Sequence, residues 1–317
     1  MRMNVPRMSP AAYRRITLVA AMLLAVIIVT GGAVRLTGSG LGCPDWPNCA
    51  PGRLTPRGVS DGHAMVEFVN RTFTGLVSIA VIICVLGSLV RVPRRRDLVW
   101  LSVGLVAGVF AQAVLGGLTV LFELQPEFVM GHFLLSLVLL TNAIVLHRRA
   151  GQPDSPDARS RPLVKEEVRI AARWLVAVTA VVVVLGTVVT ATGPHGGDRK
   201  AKRFHFDLPE VVRLHSSFVI ALLVLVLVTF WLLRRTGAPR SVQQRLALVF
   251  ALILVQGAIG YIQYFNGIPE LLVGFHIAGA TAVWAAVVAS VLGLSTRDAP
   301  AGSDDRAMSP EPALASR

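Results

Sequence analysis

The chain alternates long apolar runs with short polar connections. Eight of these runs are each about 20 residues long, the length that an α-helix needs to cross the hydrocarbon core of a bilayer. The runs cover residues 15–35, 64–90, 99–120, 128–147, 172–192, 211–233, 246–264 and 271–293. We therefore predict an all-α integral membrane protein with eight transmembrane helices.

Two stretches of the chain, residues 111–140 and 255–284, resemble each other. Each contains a helix, a short turn with a Pro-Glu pair, and a second helix with one histidine near its start. Three residues recur 144 positions later: Gln112 as Gln256, Gly116 as Gly260 and His132 as His276. A repeat of four spans preserves orientation in the membrane. We therefore predict two tandem four-helix bundles related by a pseudo-two-fold axis along the membrane normal.

Polar segments set the limits of the two bundles. The ends of the chain are rich in Pro, Ser and Asp, a composition typical of disordered tails. The predicted units are an N-terminal tail (1–14), a first bundle (15–150), a linker (151–171), a second bundle (172–296) and a C-terminal tail (297–317).

The net charge of +13 does not indicate a nucleic-acid partner, because of where the charges lie. Most of the 31 Lys and Arg residues fall in the tails, the linker and the connections on the same side of the membrane. This positive-inside pattern predicts that both termini and the linker are cytoplasmic, in a multi-pass protein of the cell membrane. One outward cluster is an exception, and we interpret it as a contact with solvent or lipid headgroups: Arg199, Lys200, Lys202 and Arg203.

The outward connection after the first helix carries two cysteines, in the sequence RLTGSGLGCPDWPNC at residues 35–49. Its glycines and prolines exclude a helix. In an oxidising compartment Cys43 and Cys49 favour a disulfide, structural or redox-active, over two inert thiols. A zinc site is disfavoured because no second Cys/His pair accompanies them. The third cysteine, Cys84, lies in an apolar helix and is expected to pack as a small hydrophobic residue.

The second helix begins with polar residues that are costly inside a membrane. His63, Glu67 and Asn70 are spaced to share one helix face, and Arg71 follows directly. Such residues face a polar cavity, a partner or a cofactor, or else they lie at the headgroup boundary, where the cost is small. Glu67 lies a turn deeper than His63, which favours a functional role for the glutamate.

Three histidines lie within two turns of the outer surface on helices 4, 6 and 8: His132, His215 and His276. A lone histidine in a membrane is as often a helix contact as a ligand. Two at one depth on facing helices of a bundle can supply both axial ligands of a haem iron. The second half has such a pair, whereas Asn70 occupies the corresponding position in the first half. This asymmetry predicts one electron-transferring haem and one site of different coordination.

These residues together resemble the haem A synthase family over nearly all of residues 15–293. The resemblance rests on VRLTGSGLGCPDWPNC after helix 1, EFVNR in helix 2, the histidine after QPEF, RLHSS in helix 6 and GFHIAGA in helix 8. Many members have a histidine where this chain has Asn70, and the EFxNR form resembles an actinobacterial-type variant. The resemblance implies an oxidoreductase of the bacterial plasma membrane that converts haem O to haem A for cytochrome c oxidase.

The resemblance also implies roles for individual residues. His215 and His276 would bind the iron of a haem b cofactor, and Cys43 and Cys49 would be the outer-loop pair. Glu67, Asn70, Arg71 and His132 would form the substrate-haem site, with His132 on the iron. In the absence of a histidine at position 70, the other axial face is left to oxygen, water or Asn70, and His63 is a further candidate ligand.

The expected reaction oxidises one ring methyl of haem O to formyl through a hydroxymethyl intermediate, with haem O entering sideways from the membrane lipid. Glu67 is expected to manage protons or to position the reacting edge. The oxygen atom comes from dioxygen or from water, and the haem b exchanges electrons with an unidentified donor or acceptor. A contact with haem O synthase is a further expectation.

Two other functions are compatible with eight spans and buried histidines. One is a dihaem cytochrome b that passes electrons from quinol without altering haem. The other is a transporter with parallel repeats, although such proteins bind substrate near the midplane of the membrane and not near one surface.

Overall fold

The computed structural model describes residues 7–58, 60–154 and 158–298, which form eight α-helices and two short β-strands. The helices of the first half are α1 (Pro10–Leu36), α2 (Gly62–Val90), α3 (Arg96–Leu121) and α4 (Pro126–Ala150). Those of the second half are α5 (Glu166–Thr192), α6 (Leu208–Arg235), α7 (Arg240–Phe265) and α8 (Glu270–Leu292). The strands are β1 (Arg159–Pro162) and β2 (Ser295–Asp298).

All eight described helices are long and apolar enough to cross a membrane, as the sequence predicts. Several extend a turn or more beyond the apolar runs, because their first turns carry polar caps. Ser9 and Asp61 accept hydrogen bonds from the backbone N–H three residues on, at 3.2 and 3.1 Å, and so cap α1 and α2. The helices α1 and α5 begin inside the predicted tail and linker. Most of the predicted tails, residues 1–6 and 299–317, lies outside the described residues.

The turns that precede α4 and α8 have the same backbone conformation. Leu124 and Ile268, which are 144 residues apart, both have positive φ, at 58° and 60°. The N–H of each donates to the carbonyl five residues earlier, Thr119 at 2.8 Å and Gln263 at 2.7 Å. This bond closes the end of the preceding helix as in a Schellman motif. The sequence repeat is therefore also a repeat of backbone geometry, and it starts α4 and α8 in the same way.

Each half forms a ring of four helices. In the first half α1 packs against α2 and α4, and α3 packs against the same two helices; α5 to α8 form the corresponding ring. The bundles meet where α8 contacts α1 and α4, and where α4 contacts α5. Trp284 Nε1 on α8 donates to Thr141 Oγ1 on α4 at 2.9 Å across this interface. These contacts agree with two tandem four-helix bundles, and the pseudo-two-fold axis stays a prediction.

We call the end of the molecule that carries Cys43 and Cys49 the outer end, and the opposite end the inner end. At the inner end β1, in the predicted linker, pairs antiparallel with β2 after α8. Arg91 is 1% exposed and donates from Nη2 to both carboxylate oxygens of Asp154 at 2.8 Å. These contacts join the two halves and order part of a segment that the sequence predicts only as a linker.

Candidate haem-binding sites

The two histidines of the second bundle are each packed against a glycine of the preceding helix. A methyl group added to Gly186 of α5 would lie 3.2 Å from Cε1 of His215 on α6. One added to Gly260 of α7 would lie 3.1 Å from Cε1 of His276 on α8. Ordinary contacts between carbon atoms are about 3.5–4.0 Å. A side chain at either glycine would therefore displace the imidazole ring.

The helices that carry these two histidines lie across the bundle from each other, since α6 and α8 each pack against α5 and α7. Four-helix bundles hold cofactors between side chains of facing helices, and a haem iron takes one axial ligand from each side. The two histidines therefore lie on facing helices, as a haem held from both sides would require.

Each of these rings also has a nitrogen without a partner. Nδ1 of His215 and of His276 is buried and makes no hydrogen bond to any described residue. The Val182 and Gln256 carbonyls, four residues before the two glycines, approach the rings without meeting hydrogen-bond geometry. A haem-ligating histidine commonly donates one ring N–H to such a carbonyl while the other nitrogen binds the metal. The residues present therefore fit a haem.

The first bundle repeats one half of this arrangement. A methyl group added to Gly116 of α3 would lie 3.2 Å from Cε1 of His132 on α4, and His132 Nδ1 is likewise buried without a described partner. Gln112 Nε2 donates to the His132 carbonyl at 3.1 Å, as Gln256 Nε2 donates to that of His276. The repeated Gln, Gly and His residues therefore form the same structural unit in both bundles.

On α2, which faces α4 across the first bundle, Asn70 stands at the position that corresponds to His215, so an amide replaces an imidazole. Asn70 on α2 is partly buried, and its Oδ1 accepts a hydrogen bond from Thr30 Oγ1 on α1 at 2.9 Å. His63, the further candidate ligand, is exposed at the outer end of α2, and its Nδ1 is 3.0 Å from Ser39 Oγ. The ligand roles assigned to these residues stay predictions.

Glu67 is buried at 6% exposure, and both of its carboxylate oxygens accept hydrogen bonds. Oε1 accepts from Arg71 Nη2 at 2.6 Å, and Oε2 accepts from the Cys43 N–H at 2.8 Å. Arg71 also donates to the carbonyls of Cys43 and Asn48, at 2.9 and 3.1 Å. Glu67 and Arg71 thus hold the outer loop against α2, a contact that the sequence did not predict. Their roles in the substrate site stay predictions.

The outer loop is closed by a disulfide between Cys43 and Cys49, which are 0% and 4% exposed. This confirms the predicted disulfide; whether it is structural or redox-active stays open to test. Cys84 is a free, buried cysteine, as predicted. Trp46, between the bonded cysteines, lies against α3, since a methyl group added to Gly117 would come within 2.7 Å of its indole. The loop therefore packs against both α2 and α3 at the outer end of the first bundle.

Within residues 7–58, 60–154 and 158–298, no group of three or more His, Cys, Asp or Glu could hold a metal ion. A haem does not need such a group, because the porphyrin supplies four ligands and the protein only the axial ones. Sequence reasoning missed Gly186 and Thr30, which contact the candidate ligand positions. Gly116 and Gly260 could be found from the sequence, because they occupy equivalent positions in the repeat.

Comparison with known proteins identifies a family and several relatives of the chain. The model of the COX15-CtaA family, described as cytochrome oxidase assembly protein, matches residues 14–194. A haem A synthase of Shouchella clausii is 25% identical over 258 residues, which are 78% of this chain and 85% of the relative. A haem A synthase of Listeria monocytogenes serotype 4a is 25% identical over 272 residues, 81% of this chain and 87% of the relative. One from Lysinibacillus sphaericus is 33% identical over 131 residues, 40% and 42% of the two chains.

Proposed function

Because the chain belongs to the haem A synthase family of cytochrome oxidase assembly proteins, we propose that it converts haem O to haem A. The reaction oxidises one ring methyl of haem O to formyl through a hydroxymethyl intermediate, and the product serves cytochrome c oxidase. The alternative, a dihaem cytochrome b that leaves haem unchanged, is not favoured by these relatives.

One observation carries the proposal: three partly buried histidines, each with a buried Nδ1, pack against glycines in the same way, two in one bundle and one in the other. In the second bundle, His215 and His276 would hold a haem b by both axial positions. Such a haem has no open position for substrate, so the chemistry it supplies is electron transfer. In the first bundle, His132 would hold the iron of the substrate from one side only. The two bundles therefore have separate tasks.

The substrate reaction requires electrons to leave or enter the first bundle. If water supplies the oxygen atom, conversion of methyl to formyl releases four electrons and four protons. If dioxygen supplies it, each of the two hydroxylations consumes two electrons and two protons and forms one water. The hydrated aldehyde then loses water in either case. A relay haem in the neighbouring bundle suits both routes, with an unidentified donor or acceptor as electron partner.

Glu67 is our candidate for the carboxylate that exchanges protons or positions the reacting edge of the substrate. It is a buried acid on the same helix as Asn70, less than one turn away, and buried acids near a reacting centre are common proton carriers. Its bonds to Arg71 and Cys43 also give it a structural task. A test of Glu67 must therefore separate chemistry from loss of the outer loop.

The remaining features concern the setting of the reaction. The distribution of Lys and Arg supports insertion in a bacterial plasma membrane with both termini in the cytoplasm. Haem O carries a farnesyl tail and would enter sideways from the lipid. Direct transfer from haem O synthase is consistent with a substrate of such low solubility.

The proposal is tested by extracting and chromatographing haems from membranes with and without the protein, and from variants. We expect haem A only when the protein is present, its loss in His132→Ala, and loss of haem b in His215→Ala. His205→Ala is the matched control and should keep haem A, because His205 is exposed in the loop before α6 and lies outside both candidate sites. Unchanged haem composition would contradict the synthase and support the cytochrome.

Glu67→Gln requires a second measurement. We expect it to retain haem b and to stop haem A formation. If Glu67 acts in the chemistry, the disulfide should remain as resistant to dithiothreitol as in the wild type, because glutamine still accepts a hydrogen bond from the loop. A disulfide that becomes readily reducible would assign the defect to the loop, and normal haem A formation would remove Glu67 from the mechanism.

A further inference from the structure

Asn70 is held in one orientation by its neighbour on α1. Thr30 Oγ1 donates to Asn70 Oδ1 at 2.9 Å, so the amide oxygen is engaged. No described residue accepts a hydrogen bond from Asn70 Nδ2, and this nitrogen is not among the buried atoms that lack a partner. A carboxamide coordinates metals through its oxygen, whereas its NH₂ group is a hydrogen-bond donor. Asn70 thus offers a donor, not a ligand atom.

There is also space beside Asn70 where the other candidate sites have none. Gly31 follows Thr30, and it precedes the loop glycine Gly38 by the same seven residues that separate Gly186 from Gly193. A methyl group at Gly186 would meet the His215 ring at 3.2 Å, but one at Gly31 would meet no described atom within 4 Å. The contact that the His215 ring makes at Gly186 in the second bundle therefore has no counterpart among the described atoms at Gly31.

We propose that Thr30, Gly31 and Asn70 form a distal pocket that accepts a small ligand on the open axial face of the haem held by His132. Asn70 Nδ2 donates a hydrogen bond to that ligand, Thr30 fixes the amide, and Gly31 provides the room. The ligand class is a small neutral hydrogen-bond acceptor, such as water or a diatomic gas. This inference rests on the proposed function only in assuming that the first bundle binds the substrate haem.

Asn70 is a positioning residue for the axial ligand. Its replacements test separately the open space of the pocket and the hydrogen-bond donor. Asn70→His supplies an imidazole that closes the axial face. Asn70→Leu is of similar size, leaves the face open and removes the donor. Thr30→Val is nearly isosteric and releases the amide without touching Asn70. Thr179→Val is the matched control, because the Thr179 hydroxyl bonds only the Leu175 carbonyl of its own helix, at 2.6 Å.

The experiment uses the full chain loaded with haem O, reduced, and titrated with carbon monoxide as the probe. We expect the wild type to bind one carbon monoxide for two haems, because the second bundle is closed by two histidines. Asn70→His should bind none and show low-spin spectra for both haems. Asn70→Leu and Thr30→Val should bind one, but release it roughly two- to tenfold faster, the range expected for one lost hydrogen bond. Their C–O stretch should shift to higher frequency, and Thr179→Val should match the wild type.

Three results would overturn the pocket. In the first, neither haem of the wild type binds carbon monoxide. In the second, Asn70→His binds carbon monoxide like the wild type. In the third, Asn70→Leu has the same carbon monoxide release rate and C–O stretch as the wild type. The bis-histidine spectrum of the second bundle reports whether each variant is folded. Haem A formation is measured separately. A protein that binds one carbon monoxide but makes no haem A would support the pocket and contradict the proposed function. A protein that makes haem A but binds no carbon monoxide would support the proposed function and contradict the pocket.

Discussion

Replacing Gly260 with alanine should weaken the binding of the proposed haem b in the second bundle without unfolding the bundle. The new methyl group would lie 3.1 Å from His276 Cε1, 3.7 Å from Nδ1 and 4.0 Å from Nε2. The ring would have to retreat by about 0.5 Å to restore ordinary carbon contacts. Overpacking a filled interior costs about 1–3 kcal/mol, which corresponds to a loss of about 5- to 150-fold in haem affinity.

The higher helix propensity of alanine should stabilise α7, in contrast to the weaker binding of haem. A control variant on the same helix separates these two effects. Alanine is favoured over glycine in a helix interior by about 1 kcal/mol, so α7 itself should be slightly stabilised. Gly257→Ala makes the same exchange three residues earlier, where an added methyl group meets no described atom within 4 Å. It should therefore keep its haem, and both variants should show the same helical content by circular dichroism.

The assay is the haem b content of each purified variant per mole of protein, followed by retention of haem during titration with an apoprotein that accepts it. We expect Gly260→Ala to lose haem at least fivefold more readily than Gly257→Ala. Equal retention would refute the idea that the glycine sets the position of the ligand. Loss from both would show that the helix tolerates no side chain here, for reasons unrelated to His276.

Two further predictions concern the ends of the molecule. Arg71→Leu should make the outer disulfide at least tenfold faster to reduce, because the hydrogen bonds from Arg71 to the loop carbonyls of Cys43, Pro47 and Asn48 are lost, each contributing about 1.5–3 kcal/mol. A maleimide gel-shift time course measures the rate of reduction. Equal rates in Arg71→Leu and in Arg53→Leu, a control at an exposed loop residue, would contradict the prediction. Asp154→Ala should lower stability by about 3 kcal/mol, because it leaves the Arg91 charge buried without a carboxylate. Thermal unfolding in detergent measures this, and a Tm no lower than that of Asp97→Ala would speak against it.

The sequence predicts the helices and the histidines well because both follow from local patterns. Apolar runs of membrane length identify the eight spans, and the repeat at 144 residues identifies His132 and His276 as equivalents. The backbone turn that recurs before α4 and α8 explains why His132 and His276 have such similar surroundings. Leu124 and Ile268 adopt positive φ without being glycine, which no local sequence rule predicts.

The contacts that the sequence does not predict are those between segments far apart in the chain. The bonds from Glu67 and Arg71 to the outer loop join residues 23 to 28 positions apart. The pairing of β1 with β2 joins the linker to the segment after α8, and strand β1 is fully exposed and of four residues only. Neither contact leaves a periodic pattern of apolar residues, so hydrophobic periodicity cannot reveal it.

One outer loop of the second half contacts the turns that precede α4 and α8, two of the three helices that carry candidate iron ligands. His195 Nε2 lies 2.7 Å from the Ile268 carbonyl, in the turn before α8, and the His195 carbonyl accepts a hydrogen bond from Arg35 at 2.7 Å. Two residues on, a methyl group at Gly197 would come within 3.1 Å of Leu124, in the turn before α4. A single segment therefore braces both turns, and through them the starts of both helices. His132 and His276 each lie six residues, about 9 Å, from those starts, so both candidate iron ligands follow turns that the same loop contacts.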